Sequence, residues 1–172
     1  MNLYLIGYRG TGKSLVGRRL SVALGWGFVD MDAELCGRLS ATIREFVDRR
    51  GWPVFRREEK ALLAELNARR GLVVSTGGGV VLDGGNVQGM RRHGKVVWLT
   101  ASAETIRKRL VADESSADSR PALTDAASLA AEIERTLAER VPLYRRAADF
   151  STPTDGRTAE AVCRTIRDWM LS

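Results

Sequence analysis

Near the start of the chain, closely spaced glycines stand beside a lysine and a hydroxyl group. Residues 7–14 read GYRGTGKS and fit the phosphate-binding pattern G-x-x-x-x-G-K-[ST]. Glycines let the backbone form a concave nest of N–H donors around a phosphate that a Cβ would block. Lys13 would reach the terminal phosphates and the Ser14 hydroxyl would ligate Mg²⁺, while the following helix turns its positive end to the ligand. This segment predicts a nucleotide site.

Two carboxylates follow the second candidate strand. Asp30 and Asp32 lie where an open α/β sheet binds its ligands, beyond the carboxyl ends of the strands. An aspartate at a strand–helix junction is often only a helix N-cap. Behind a phosphate loop, however, Mg²⁺ needs hard oxygen ligands and a reacting hydroxyl needs an acceptor for its proton. The two aspartates are therefore candidates for metal binding and for proton acceptance.

Two arginines further along could bind an anion. Arg56 and Glu59 lie one turn apart at the start of a helix, so the carboxylate can orient the guanidinium. Most such pairs are surface ion pairs worth under ~1 kcal/mol, and the sequence leaves that alternative open. Arg140 precedes Pro142, which we expect to interrupt its helix at a point where Arg140 can face inward.

Glycines and a polar segment complete the candidate site. Residues 77–79 are three consecutive glycines after an apolar strand, which indicates a close approach to the backbone. Residues 112–121 lack periodic apolar positions and are rich in small polar ones. Because helical segments lie on both sides, we expect a functional lid here rather than a linker. Arg120, just before Pro121, would be its active residue.

The elements that position these residues follow an α/β pattern. Apolar runs of strand length alternate with segments of helical period, as in a parallel sheet covered by helices. The pair Gly84 and Gly85 is interpreted as an ordinary turn. The candidate strands are residues 3–6, 28–29, 72–75, 96–99 and 150–152, and the candidate helices are residues 13–24, 43–49, 57–69, 103–110, 128–141 and 159–171.

Composition bounds the class of protein. The 172 residues, 44% of them hydrophobic, are enough for one domain with one core. The net charge is +6, but the basic residues are scattered along the chain and form no long run. A small anionic substrate therefore explains the positive charge as well as RNA does. Cys36 and Cys163, the two cysteines, lie far apart in the sequence, so their spacing indicates neither a metal site nor a disulfide framework. This cysteine content favours a reduced cytoplasm as the location. No apolar run approaches the roughly 20 residues that span a bilayer. We expect His93, in a helix end and turn, to be an exposed or capping residue.

In this order along nearly the whole chain, the segments resemble shikimate kinase, of the nucleoside-monophosphate-kinase-like P-loop group. The match rests on the phosphate loop and on residues 30–32, 51–59, 76–79, 120–121 and 140–144. The resemblance implies an α/β, three-layer P-loop kinase fold with a five-stranded parallel sheet in the order 2-3-1-4-5. It implies a single domain over residues 1–172, with a substrate-binding region at about 31–60 and a lid at about 112–124.

The same resemblance implies an activity. ATP would phosphorylate the shikimate 3-hydroxyl to give shikimate 3-phosphate and ADP, in aromatic amino-acid (chorismate) biosynthesis. The enzyme would be a cytoplasmic monomer that uses ATP and Mg²⁺ and binds neither nucleic acid nor membrane.

Roles for single residues also come from the resemblance. Asp32 would hold the shikimate hydroxyls and accept the proton, Ser14 and Asp30 would hold Mg²⁺, and Glu59 would support Arg56. Catalysis would depend on Lys13, Asp32 and Arg120. The ATP-binding residues would be Gly10, Thr11, Gly12, Lys13, Ser14, Leu15 and Arg120, and the shikimate-binding residues Asp32, Arg56, Gly77, Gly78, Gly79 and Arg140, with the two arginines on the carboxylate. In many members an arginine follows the last strand near the adenine, where this chain has residues 152–156; the adenine contacts are left unassigned.

Other classes fit less well. A P-loop GTPase needs an N-K-x-D segment, and no asparagine here is followed by lysine. A motor or RNA-binding ATPase would show an apolar strand that ends in a catalytic acidic pair. Here the candidate strand at 96–99 is followed by Thr100, and the apolar run at 72–74 is followed by Ser75. A gluconate-type kinase shares the loop and the lid and is the nearest enzymatic alternative. A non-catalytic regulatory module of the same fold would be expected to have lost Lys13, Asp32 or Arg120, and all three are present.

Overall fold

The computed structural model describes residues 1–113 and 126–172. Within these two ranges, five parallel strands form one sheet in the order β2-β3-β1-β4-β5. The fold predicted from the sequence is therefore confirmed, including the strand order. The strands are β1 Asn2–Ile6, β2 Gly27–Asp30, β3 Leu72–Ser75, β4 Gly94–Thr100 and β5 Phe150–Pro153.

Helices cover both faces of the sheet. Parallel neighbours need a crossover connection, and helices supply most of these connections. Among the described residues the helices are α1 Lys13–Leu24, α2 Met31–Leu39, α3 Ile43–Arg50, α4 Trp52–Asn67, α5 Gly84–His93, α6 Ala103–Ala112, α7 Ala126–Ala147 and α8 Ala159–Leu171, with a 3₁₀ turn at Val80–Leu82. No helix among the described residues is long and apolar enough to cross a membrane.

The central strand β1 explains the three layers. All its residues are buried, and successive side chains of a strand point to opposite faces. Tyr4 and Ile6 pack in a cluster with α2, α4 and α7, whereas Leu3 and Leu5 pack with α1 and α8 on the other face. Both faces are therefore apolar, and the polar residues of the candidate site are left at the carboxyl edge.

Two expectations about local structure were wrong. Pro142 does not end its helix, because α7 continues to Ala147 and the proline removes only one backbone N–H donor. Gly84 and Gly85 open helix α5 instead of forming a turn. The Asp83 carboxylate caps that helix by accepting from Asn86 N at 3.1 Å, which offsets the poor helix propensity of two glycines.

Candidate active site

The phosphate loop connects β1 to α1 and is closed on itself by its own side chains. Lys13 Nζ donates to the carbonyls of Gly7 and Tyr8 at 2.9 and 3.0 Å, and Thr11 Oγ1 donates to Tyr8 O at 2.8 Å. At Gly7, where φ is 141°, a Cβ would lie 2.5 Å from the Leu99 carbonyl oxygen. Glycine is therefore required there by both the backbone conformation and the neighbouring strand.

Beside the loop lies a cavity of about 550 Å³, here called the nucleotide cavity. The loop residues that line it are five of the six predicted for ATP: Gly10, Gly12, Lys13, Ser14 and Leu15. Thr11 is buried and does not line it.

The Asp30 carboxylate has two roles in this cavity, one for each oxygen. Oδ1 caps α2 by accepting from the backbone N of Asp32 at 3.1 Å and of Ala33 at 3.3 Å. Oδ2 accepts from the Ser14 hydroxyl, and Ser75 Oγ lies 3.4 Å from Ser14 Oγ. The capping role that the sequence allowed for Asp30 is real. It leaves one carboxylate oxygen and a serine hydroxyl together, and hard oxygen donors of this kind suit Mg²⁺.

A neighbouring cavity of about 300 Å³, here called the substrate cavity, contains most of the remaining predicted residues. Asp32 and Arg9 line both cavities, so the two spaces meet at these side chains. The substrate cavity is lined by Tyr8, Arg9, Asp32, Ile43, Trp52, Phe55, Arg56, Glu59, Gly77, Gly78, Gly79, Glu132, Thr136 and Arg140.

Arg56 and Glu59 form a partly buried pair, with Glu59 buried and Arg56 open to the cavity, and not the surface pair that their spacing also allowed. Arg56 Nη1 donates to Glu59 Oε2 at 2.8 Å, and the Glu59 side chain is 1% exposed. Burial raises the pKa of the Glu59 carboxyl, and the charge and hydrogen bond of Arg56 oppose this rise. The rings of Trp52 and Phe55 lie 5.1 and 5.6 Å from the guanidinium carbon. The arginine is therefore held by charge and by aromatic contact.

The glycines at 77–79 let charged side chains converge. A Cβ at Gly77 would overlap Glu59 Oε1 and lie 3.1 Å from Asp32 Oδ1. A Cβ at Gly79 would overlap the Arg56 guanidinium. The close approach that the sequence indicated is therefore made, at least in part, by the protein's own side chains.

One face of α7 supplies the opposite wall. Glu132, Thr136 and Arg140 are four residues apart and all line the substrate cavity. The sequence analysis singled out only Arg140, although this spacing marks one helical face and could have identified the other two. Arg9 was also missed. Its guanidinium forms an ion pair with Glu132 at 3.4 Å, which links the phosphate loop to α7.

Arg109 links the phosphate loop to the segment after β5. Its guanidinium donates to Gly10 O at 3.0 Å and to the hydroxyl and carbonyl oxygens of Thr154 at 3.0 and 2.9 Å. The sequence analysis assigned no role to this arginine. Arg120 and residues 114–124 of the expected lid lie outside the described residues, whereas Asp113 lines the nucleotide cavity.

Comparison with known proteins identifies the family. The family model for shikimate kinase matches residues 9–171. This chain belongs to the shikimate kinase family. A shikimate kinase of Syntrophus aciditrophicus is 40% identical over 96% of this chain and 89% of the relative. One of Moorella thermoacetica is 41% identical over 97% and 92%. The predictions of the family and of a kinase are confirmed.

Solved structures agree with this assignment. A shikimate kinase from Acinetobacter baumannii, in complex with shikimate, has a TM-score of 0.91 and 33% identity, covering 99% of this chain and 92% of that one. A gluconokinase from Sinorhizobium meliloti has a TM-score of 0.54 and 16% identity over 95% and 87%. This second likeness shows a shared fold alone. The gluconate-type alternative therefore has much weaker support than shikimate kinase.

Proposed function

We propose that this chain transfers the γ-phosphoryl group of ATP to the 3-hydroxyl of shikimate, giving shikimate 3-phosphate and ADP, in aromatic amino-acid (chorismate) biosynthesis. The observation that carries the proposal is the position of Asp32. Its side chain lines both the nucleotide cavity and the arginine-containing substrate cavity. A phosphoryl donor in one space and a hydroxyl acceptor in the other would meet beside its carboxylate.

The phosphate loop and α1 hold the donor. Gly10, Gly12 and Leu15 form the wall of the phosphate site with Lys13 and Ser14. Thr11 supports the loop from behind, through its hydrogen bond to Tyr8 O. Lys13 exchanges its contacts with the Gly7 and Tyr8 carbonyls for contacts with the terminal phosphates, where its charge is needed as the phosphoryl group moves. The α1 N-terminus adds backbone N–H donors to the same anion. This arrangement positions the γ-phosphorus toward Asp32.

Ser14 and Asp30 are the residues that would hold Mg²⁺. Their paired oxygens fit an ion that is usually bound by one or two carboxylates together with substrate phosphates. When bound, Mg²⁺ would neutralise part of the negative charge on the phosphates. Arg120 would add a further positive charge there.

The substrate cavity holds the acceptor by its carboxylate. Arg56 and Arg140 bind that group, because a guanidinium gives two parallel hydrogen bonds to a carboxylate. The ring lies against the backbone of Gly77, Gly78 and Gly79, with its hydroxyls toward Asp32. As the 3-oxygen bonds to the γ-phosphorus, its proton passes to the Asp32 carboxylate. The bond from that phosphorus to the bridging oxygen of ADP breaks.

An assay of acceptor preference tests the proposal. ADP release is followed with the full chain, ATP and Mg²⁺, in separate reactions with shikimate, gluconate and nucleoside monophosphates. We expect saturable turnover with shikimate, and phosphorus NMR should identify the product as the 3-phosphate. Faster turnover with gluconate would support the alternative kinase instead. An absence of turnover with every acceptor would support the regulatory module.

A further inference from the structure

A buried tyrosine lies directly behind the substrate cavity. Tyr144 is on α7, is fully buried, and donates its hydroxyl hydrogen to the Gly78 carbonyl oxygen at 2.5 Å. Its ring stacks on Trp98 of β4, with ring centroids 5.9 Å apart and an angle of 26° between the planes. The ring is thus fixed by the sheet, and the hydroxyl is aimed at the glycine segment that lines the cavity.

Arg140 lies one turn earlier on α7, so its guanidinium is a neighbour of the same hydroxyl. Burial raises the pKa of Tyr144 to about 12, and the charge of Arg140 and its side-chain hydrogen bond to Tyr144 oppose that rise. The hydroxyl therefore stays protonated near neutral pH. A protonated phenol has one hydrogen to donate and lone pairs to accept, so it can serve the Gly78 carbonyl and the guanidinium together.

The Arg140 guanidinium lies beside the glycine segment. Its Nη1 is 3.6 Å from the place where a Cβ of Gly78 would stand, so a side chain at position 78 would touch it. The Tyr144 hydroxyl donates to the Gly78 carbonyl and lies near Arg140, so it adjoins both groups.

We propose that Tyr144 is a positioning residue, whose hydroxyl fixes the Arg140 guanidinium and the Gly78 backbone in the geometry that binds the substrate carboxylate. This inference rests on the proposed function, since it assigns Arg140 to that carboxylate.

The two arginines then have different partners for a physical reason. Glu59, which is ionic, orients Arg56 and offsets its charge. Tyr144 is neutral, so it orients Arg140 without cancelling its charge. The charge of Arg140 therefore stays available to the single carboxylate of the acceptor.

Tyr144→Phe is the test, because it deletes one oxygen atom and keeps the ring on Trp98. Tyr4→Phe is the matched control. Tyr4 is equally buried, and its hydroxyl donates to Asn67 Oδ1 at 2.6 Å, away from the residues that line the substrate cavity. Both variants lose a buried hydrogen bond, so both should lower the Tm by a similar amount.

The kinetic readout separates positioning from stability. For Tyr144→Phe we expect the KM for shikimate to rise about tenfold, kcat to change less than about threefold, and the KM for ATP to stay constant. Preference for shikimate over its neutral amide should also fall. Tyr4→Phe should change none of these values. Replacing Tyr144 with 4-aminophenylalanine keeps an N–H donor for the Gly78 carbonyl and should restore part of the affinity for shikimate. This second variant can be measured if Tyr144→Phe folds poorly.

Several outcomes would overturn the inference. One is an unchanged KM for shikimate in the Tyr144 variants, and another is an equal change in the Tyr4 control. Failure of the wild-type chain to phosphorylate shikimate would instead refute the proposed function. The two failures are therefore distinguishable.

Discussion

Gly79→Ala should weaken shikimate binding through Arg56 without changing the backbone conformation. Gly79 has φ −98° and ψ 2°, which alanine adopts without backbone strain. The added Cβ would overlap the Arg56 guanidinium, which is the far end of a flexible side chain. The arginine can therefore move away, but only by leaving its hydrogen bond with Glu59 and its contact with Trp52.

The size of the effect follows from what Arg56 loses. Removing one charge-assisted contact from a partly desolvated carboxylate costs about 2–5 kcal/mol of transition-state binding, or roughly 30- to several-thousand-fold in kcat/KM. Because displacement keeps the charge nearby, we expect the lower end, about 30- to 100-fold, mostly in the KM for shikimate. The KM for ATP should not change, since the phosphate loop is untouched.

Folding stability gives a second signature of the same displacement. Burial already raises the pKa of Glu59, and loss of Arg56 should raise it further. A carboxyl whose pKa is raised in the folded state binds more protons there than in the unfolded chain. Its favourable contribution is complete below the ordinary value of 4.5 and is lost as pH rises through the folded pKa. Gly79→Ala should therefore destabilise the fold more at pH 8 than at pH 4.5.

Gly37→Ala is the matched control for these measurements. Gly37 lies within α2, and a Cβ there would meet no atom within 4 Å. This variant should be neutral or more stable by about 0.5–1 kcal/mol, with unchanged kinetics. The assay is steady-state kinetics in both substrates, with thermal unfolding at the two pH values. A Gly79→Ala enzyme with a wild-type KM for shikimate would refute the argument that this glycine exists to make room for Arg56.

Three further predictions concern the nucleotide side and the edge of the fold. Asp32→Asn keeps the shape but removes the base, so kcat should fall by about 10²–10⁴ in steady-state assays while the KM for ATP stays within about twofold; near-normal turnover would contradict the assignment. Ser14→Ala should raise the Mg²⁺ concentration needed for half-maximal rate by at least about tenfold, and an unchanged Mg²⁺ titration would exclude this hydroxyl as a ligand. Asp155 accepts hydrogen bonds from Ser102 N and Oγ, which with Thr105 lower its pKa to about 2. That stabilisation is present above the ordinary value of 3.8 and is lost as pH falls toward 2, so the Tm gap between wild type and Asp155→Asn should close over this range.

The sequence was sufficient where local pattern and tertiary packing agree. The bounds of α1, β3 and α8 were predicted correctly, because the two helices show a helical apolar period and β3 is a short continuous apolar run that ends at polar residues. The edge strand β2 was predicted as two residues, whereas it runs over Gly27–Asp30. Neither Gly27 nor Asp30 favours a strand by itself. Both are held in extended conformation by their pairing with β3.

Site residues divide in a similar way. Lys13, Asp32, Arg56 and Arg140, which line the two cavities, were candidates because a spaced motif or a resemblance pointed to each. Tyr144 was not assigned a role, because its contact partner Gly78 lies 66 positions earlier and nothing local indicates where its hydroxyl points. The burial of Glu59 was also not predictable from the helix alone, since the spacing of Arg56 and Glu59 is the same in a surface pair and in a buried one.

The strand order also explains why small residues follow β3. Asp30 ends β2, which is two strands from β1 and so about 9–10 Å away at ordinary strand spacing. The Ser14 hydroxyl nevertheless reaches the Asp30 carboxylate, across the end of β3. This is possible because β3 ends in Ser75, a small residue whose hydroxyl lies beside the pair, at 3.4 Å from Ser14 Oγ. A large side chain there would separate the two oxygens. The residues at the end of β3 and just after it thus serve both spaces, since Ser75 and Thr76 line the nucleotide cavity and residues 77–79 line the substrate cavity.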